Sequence, residues 1–98
     1  MRLVFAIVKP GAVEFLRQAL AAVHVTRLTL CDAHEYAADG IAQAVILEIA
    51  VNDDFLDRTR DTLAEALAAI GPDAGSVFVL PVDEAIQIYR DVRGPEAV

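Results

Sequence analysis

The first ten residues, MRLVFAIVKP, constrain the fold more than any other stretch of the chain. Residues 3–8 are all apolar, and successive side chains of a strand point to opposite faces of a sheet. Leu3, Phe5 and Ile7 therefore fall on one face, and the apolar residues between them fall on the other. A strand that is apolar on both faces is typically central in its sheet, with something packed against each side.

Helical spacing of apolar residues predicts two helices, over residues 11–23 and 54–70. Each predicted helix has one apolar stripe for burial against the sheet. In the second helix this stripe consists of Leu56, Leu63, Leu67 and Ile70. The residues Asn52, Asp53 and Asp54 precede it and supply a cap, because their side chains accept hydrogen bonds from the unpaired amides of a first helical turn.

Alternating apolar residues predict the remaining strands, and glycine, proline and polar clusters mark the turns between them. The predicted strands are 25–32, 43–51 and 76–82, with a short one near 86–88. In the strand 25–32, Thr29 and Cys31 share one face, whereas Leu28 and Leu30 share the other. The polar segment 33–41, AHEYAADGI, is predicted to be a loop that joins two antiparallel strands.

The resulting order β-α-β-β-α-β is that of the ferredoxin-like fold. It predicts an α+β sandwich, a single domain over residues 1–98, in which two helices cover one face of a four-stranded antiparallel sheet. The other face has no cover, although three of the strands are apolar on both sides. An exposed apolar surface of this size is normally an interface, so the pattern predicts a homo-oligomer.

Composition narrows the choice of partners. Of the 98 residues, 56 % are hydrophobic, yet no apolar run is long enough to span a membrane, and no signal peptide is expected. Eight Lys and Arg against fifteen Asp and Glu do not form the basic face that nucleic-acid binding requires. The single cysteine, Cys31, has no partner for an internal disulfide, which fits a reducing cytoplasm.

Several stretches resemble the PII signal transduction proteins: MRLVFAIVKP, the helix containing LRQAL, VTRLTL, VFVLPVDEAIQI and the closing RGPEAV. This resemblance implies a cytoplasmic homotrimer that binds adenine nucleotides in clefts between its subunits. It also implies regulation of a partner protein, a transporter or an enzyme, by a chain that has no catalytic activity and requires no cofactor.

The resemblance places the ligand-binding residues in that cleft between subunits. They are Arg27, Leu28, Thr29, Glu48, Ala50, Gly75, Ser76, Gln87 and Tyr89. The backbone of residues 27–29, with Glu48 and Ala50 on the neighbouring strand, is expected to hold a ring the size of adenine. Three phosphate-binding cations of the family are replaced by neutral side chains at positions 76, 87 and 89.

Each lost cation removes a charge-assisted hydrogen bond of about 1.5–3 kcal/mol. The cleft is therefore predicted to prefer a nucleotide with few phosphates, or another small anion, over ATP, unless Arg27, Arg90 or Arg93 replaces the missing charge. The alternative is a vestigial cleft that Tyr89 fills.

PII proteins contact their partners through a long loop after the second strand. Here only a short segment stands at that place, and its candidate partner-binding residues are His34, Glu35, Tyr36, Asp39 and Gly40.

Two other hypotheses remain open. One is a CutA-like, metal-responsive trimer that uses Cys31, His24 or His34, although Cys31 and His34 fall on opposite faces of a continuous strand and a buried structural thiol is the simpler interpretation. The other is a small ferredoxin-like enzyme with one of the histidines as its base. It finds little support, since the chain has no Walker loop, G-x-S-x-G or H-E-x-x-H motif.

Overall fold

A computed structural model describes all residues, 1–98, and confirms the predicted order of elements. The main strands are β1 (Arg2–Val8), β2 (Thr29–Ala37), β3 (Gly40–Val51) and β4 (Gly75–Pro81), and the helices are α1 (Val13–Ala22) and α2 (Asp53–Ile70). The four strands form one antiparallel sheet in the order β2-β3-β1-β4. After β4, two very short strands, β5 (Ile86–Gln87) and β6 (Val92–Arg93), pair with each other. Neither α1 nor α2 is long and apolar enough to cross a membrane.

Strand β1 lies in the centre of the sheet, as its sequence predicts. It pairs with β3 on one side and with β4 on the other over its whole length. Val4, Ala6 and Val8 are buried beneath the helices. Leu3, Phe5 and Ile7 are half-buried and point to the opposite side. We call this opposite side the open face, because no element of the chain covers it.

Both helices pack their apolar stripes on the covered face. Leu16 and Leu20 of α1 and Leu63 and Leu67 of α2 join β1 and β3 in one core cluster. The predicted cap is present, since the Asn52 side chain accepts a hydrogen bond of 3.1 Å from the Asp54 amide. This cap satisfies one of the amides that a helix leaves unpaired in its first turn.

One predicted member of the α2 stripe is wrong. Ile70 is 44 % exposed, because it stands in the last turn of α2, immediately before the chain leaves the helix. At the next residue, Gly71 adopts a φ of +149° and its amide donates to the Leu67 carbonyl. The spacing of Ile70 places it on the apolar stripe of α2. Its side chain would be buried only if the sheet extended beneath the end of the helix.

The second strand begins four residues later than the pattern predicts. The Val25 amide donates to the Leu20 carbonyl at 2.9 Å, which folds the chain back onto the end of α1 and buries Val25 in the core. Residues 25–28 therefore do not pair with β3, and β2 starts at Thr29.

The predicted loop 33–41 is also wrong, because these residues form a β-hairpin. Strands β2 and β3 remain paired as far as Ala37 and Gly40, so only Ala38 and Asp39 make the turn. Gly40 has a φ of +134°, a value that favours glycine. The Asp-Gly pair is a hairpin signal, but the small and polar residues around it hide the strand pattern.

The open face is apolar, as predicted. Phe5 and Phe78 are neighbours on it, with ring centroids 5.6 Å apart. Leu3 and Leu80 form the next pair along the same two strands, and Phe78 is 45 % exposed. A contiguous apolar patch of this kind marks an interaction surface.

Candidate ligand cleft

A cavity of about 650 Å³ opens at one end of the sheet. Its walls are residues 24–29, the last residues of β3, the start of α2 and residues 97–98. Apolar side chains, among them Leu28 and Phe55, line it together with the polar groups of Asn52 and Thr29.

The cavity exists because β2 joins the sheet late. Strand β3 pairs with β1 as far as Val51, whereas its pairing with β2 extends only from Gly40 to Glu48. The main chain of residues 49–51 therefore has a strand partner on one side only. Unpaired amides and carbonyls at such an edge are strong hydrogen-bonding groups, so this wall can bind the polar edge of a flat ring.

The cavity also borders the open face. Glu48 and Ala50 are paired with Phe5 and Leu3, so their side chains lie on the open face, and both line the cavity. A second molecule that covers the open face would therefore stand beside this cavity. This placement connects the apolar patch to the candidate ligand site.

The nine predicted cleft residues separate into three groups within one chain. Five of them line the cavity: Arg27, Leu28, Thr29, Glu48 and Ala50. Gly75 and Ser76 instead line a second groove of about 390 Å³, which also contains Lys9 and Glu35.

The other two predicted cleft residues, Gln87 and Tyr89, line neither cavity. The Gln87 side chain is buried and organises the C-terminal segment. Its Nε2 donates to the Ala97 carbonyl at 3.2 Å, and its Oε1 accepts from Arg90 Nε at 2.7 Å. Tyr89 is 76 % exposed, so it does not fill the cavity of its own chain.

Comparison with known proteins decides the family. The sequence model described as nitrogen regulatory protein P-II matches residues 1–92. The chain belongs to the nitrogen regulatory protein P-II family. Its members are regulatory signal transduction proteins, and this membership favours the regulatory hypothesis over the CutA-like and enzymatic alternatives.

Relatives within the P-II family match the chain over its whole length. Nitrogen regulatory protein GlnK1 of Methanosarcina mazei is 29 % identical and aligns with all of this chain and 97 % of its own length. Nitrogen regulatory protein P-II of Rhizobium etli is 28 % identical, with both proteins fully covered. The crystal structure of Arabidopsis thaliana PII bound to citrate superposes with a TM-score of 0.87 at 28 % identity, covering 99 % of this chain and 91 % of that one.

This P-II family member is shorter than its archaeal relative. The alignment with the Methanosarcina mazei protein spans 116 positions, 18 more than the 98 residues of this chain. The five residues predicted for partner binding here lie in a tight hairpin. His34, Glu35 and Tyr36 belong to β2, Asp39 lies in the turn and Gly40 begins β3. All five are exposed, Tyr36 at 80 %.

The residues of the metal hypothesis are dispersed. Cys31 pairs with Ile46 on the open face, whereas His34 pairs with Gln43 on the other face of the same hairpin. His24 stands at the end of α1. The Cys31 side chain is exposed in the single chain, contrary to the predicted buried thiol, because it lies on the uncovered side of an edge strand. No three His, Cys, Asp or Glu side chains are grouped closely enough to hold a metal ion.

Sequence reasoning missed His24 as a cavity residue. Its backbone has a φ of +67°, and its amide donates to the Ala21 carbonyl at 3.0 Å. Together with the bond from Val25 to Leu20, this forms a Schellman motif, the usual end of a helix, in which the left-handed residue is most often glycine. His24 thereby becomes part of the cavity wall. The sequence feature that could have indicated this role is the position of His24 directly after a predicted helix.

Packing requires a glycine at position 75, independently of any ligand. A Cβ at this position would lie 2.5 Å from the Ile7 carbonyl oxygen and 2.9 Å from Val8 Cγ1. Only glycine allows β4 to start this close to β1. Gly75, which the family resemblance assigns to the ligand cleft, thus also meets a packing requirement.

We predict that Gly75→Ala lowers the free energy of unfolding by about 1–3 kcal/mol, the cost of overpacking. Urea unfolding measures this loss. Gly11→Ala is the matched control, because nothing lies within 4 Å of a Cβ there, and it should change stability by no more than about 0.5 kcal/mol. A Gly75→Ala protein as stable as the control variant would contradict the packing explanation.

Proposed function

We propose that this P-II family member is a cytoplasmic, non-enzymatic homotrimeric sensor. It binds a small anionic metabolite in clefts between its subunits and thereby controls a partner protein, a transporter or an enzyme. The first candidate ligand is an adenine nucleotide with few phosphates. No resident cofactor is required.

The observation that carries this proposal is the convergence of five predicted cleft residues on one cavity that borders the open face. The cavity offers an apolar floor and an unpaired strand edge, which together suit a flat heterocycle. The open face supports the trimer, because two helices cover only one side of a sheet whose other side is also apolar. A neighbouring subunit on that face would complete the cavity.

Charge supports a ligand with few phosphates. The chain carries a net charge of -7, and ATP would add several more negative charges. Ser76 and Tyr89 are neutral, and both polar atoms of the Gln87 amide are already hydrogen-bonded within the C-terminal segment. A neutral donor can hydrogen-bond a phosphate, but it lacks the added Coulombic attraction that a cation supplies.

The hairpin at residues 34–40 is the surface we propose for the partner protein. Tyr36 and Ile41 are a cross-strand pair near its tip, and both side chains are exposed. An aromatic and an aliphatic group side by side at the end of a protruding hairpin are suited to insertion into a pocket of a partner.

Titration calorimetry with AMP, ADP and magnesium-ATP tests the proposed ligand class. We expect AMP to bind more tightly than magnesium-ATP. Ala50→Phe should abolish binding, because Ala50 lines the cavity and a benzyl group would fill it. Ala68→Phe, on the exposed surface of α2, is the control and should bind like the unmodified protein.

Two results would contradict the proposal. Tighter binding of magnesium-ATP than of AMP, lost in Ser76→Ala, would indicate a triphosphate sensor. Failure of every nucleotide to bind would indicate a vestigial cleft. The mass of each variant is measured in parallel, so that loss of assembly is not mistaken for loss of the ligand site.

A further inference from the structure

One part of the cavity wall, Ala97 and Val98, belongs to a short segment that we call the wall segment, residues 94–98. The wall segment follows β6 and makes a single 3-10 turn. Its first residue is fixed by the backbone, because the Gly94 amide donates to the Ala85 carbonyl at 2.8 Å. The residues that reach the cavity lie at its other end and are half-buried, so their position needs a second attachment.

A single side chain supplies this second attachment. Gln87 Nε2 donates to the Ala97 carbonyl at 3.2 Å, and no other hydrogen bond joins residues 95–98 to the rest of the chain. Gln87 is only 7 % exposed and lines neither cavity of its own chain. It therefore acts on the cavity through Ala97, as a positioning residue.

Arg90 fixes the orientation of the Gln87 amide. Its Nε donates to Gln87 Oε1 at 2.7 Å, and a guanidinium offers donors only. The amide oxygen must therefore face Arg90, which turns the amide nitrogen toward the Ala97 carbonyl. The bond from Arg90 is charge-assisted and belongs to the stronger class of hydrogen bonds, so the amide is held ready to bind the wall segment.

The wall segment is held weakly enough to move. One net hydrogen bond changes an equilibrium only about 2- to 12-fold, and the parts of a fold that open around ligands are its weakly held parts. We infer that Gln87 is a latch: while it is bonded to Ala97 the wall segment closes one side of the cavity, and when the bond breaks a ligand can enter or leave. The statement about ligand exchange rests on the proposed function, because it concerns the same cavity.

Amide hydrogen exchange followed by NMR tests the latch without a ligand. The Val98 amide donates to the Pro95 carbonyl within the wall segment, so its exchange reports opening. In Gln87→Leu we expect it to exchange about 2- to 12-fold faster, the factor of one lost hydrogen bond. Gln87→Glu keeps an acceptor for Arg90 but has no donor for the wall segment, and it should accelerate exchange at least as much.

Stopped-flow fluorescence with the methylanthraniloyl ester of AMP tests whether the latch controls access. The latch acts on the empty and the occupied cavity alike, so both rate constants, for association and for dissociation, should rise in Gln87→Leu by a similar factor, with little change in affinity. A residue that contacts the ligand would instead raise the dissociation rate and weaken binding. Gln18→Leu is the matched control, because it removes a glutamine whose Nε2 donates to Glu14 on the exposed face of α1, and it should behave like the unmodified protein.

The outcomes distinguish this inference from the proposed function. Unchanged exchange of the wall segment in both Gln87 variants would overturn the latch, and weakened binding at an unchanged association rate would overturn its control of access. If the AMP ester does not bind the unmodified protein, the proposed function fails, whereas the exchange measurement still decides whether Gln87 holds the wall segment. Arg90→Ala, at an exposed position, is the second variant in case the buried substitutions do not fold, and it should also accelerate exchange.

Discussion

Phe5→Asp is expected to yield a folded chain that no longer assembles, whereas Val4→Asp is expected to unfold the protein. The two residues are neighbours on β1 but lie on opposite faces of the sheet. Val4 is fully buried in the core beneath the helices, and an unpaired carboxylate there is very costly. Phe5 lies on the open face beside Phe78, where a charge disrupts only the contact with another molecule.

Light scattering and circular dichroism measure the two effects separately. The unmodified protein should have three times the chain mass of 10.5 kDa, and Phe5→Asp should have the mass of one chain with its secondary structure retained. Phe78→Asp provides a second test on the same face, in case the first variant does not fold. A Phe5→Asp and a Phe78→Asp protein that both remain trimeric would show that the open face is not the subunit interface.

Leu63→Ala is expected to lower the free energy of unfolding by about 2–5 kcal/mol, the cost of a cavity at a fully buried leucine. Leu63 has no solvent exposure and belongs to the core cluster beneath α2. Ile70→Ala, in the same helix, should cost no more than about 1 kcal/mol because its side chain is nearly half exposed. Urea unfolding at one fixed protein concentration is the measurement, since the stability of an oligomer depends on concentration.

This pair of variants tests the orientation of α2. A loss below about 0.5 kcal/mol for Leu63→Ala would place this residue among surface positions. A larger loss for Ile70→Ala than for Leu63→Ala would mean that the helix presents another face to the sheet.

The features that sequence reasoning predicted correctly are those that local periodicity determines. Alternation identified β1 as a strand that is apolar on both faces, and the Asn52 cap followed from the preference of a first helical turn. The start of β2 could not be predicted in this way, because Val25 is held by a backbone bond to Leu20 that no side-chain pattern encodes. The hairpin was missed because its pairing depends on β3 and not on the polarity of its own residues.

The candidate site likewise contains some residues that could be predicted from the sequence and others whose place depends on the fold. The family resemblance supplied residues 27–29 with Glu48 and Ala50, and the structure brings them together at one cavity. His24 was missed because its direction depends on a left-handed backbone. Ser76 and Tyr89 stand apart from this cavity within one chain, so their contribution to a ligand depends on how subunits assemble.

Native mass spectrometry of the unmodified protein, titrated with AMP, tests the central claim most directly. The claim is that this P-II family member assembles through its open face and binds a small anion in the clefts that assembly completes. We predict a species of three chains, three times 10.5 kDa, that takes up as many as three nucleotides. A single chain at micromolar concentration, or a trimer that takes up no nucleotide, would contradict the claim.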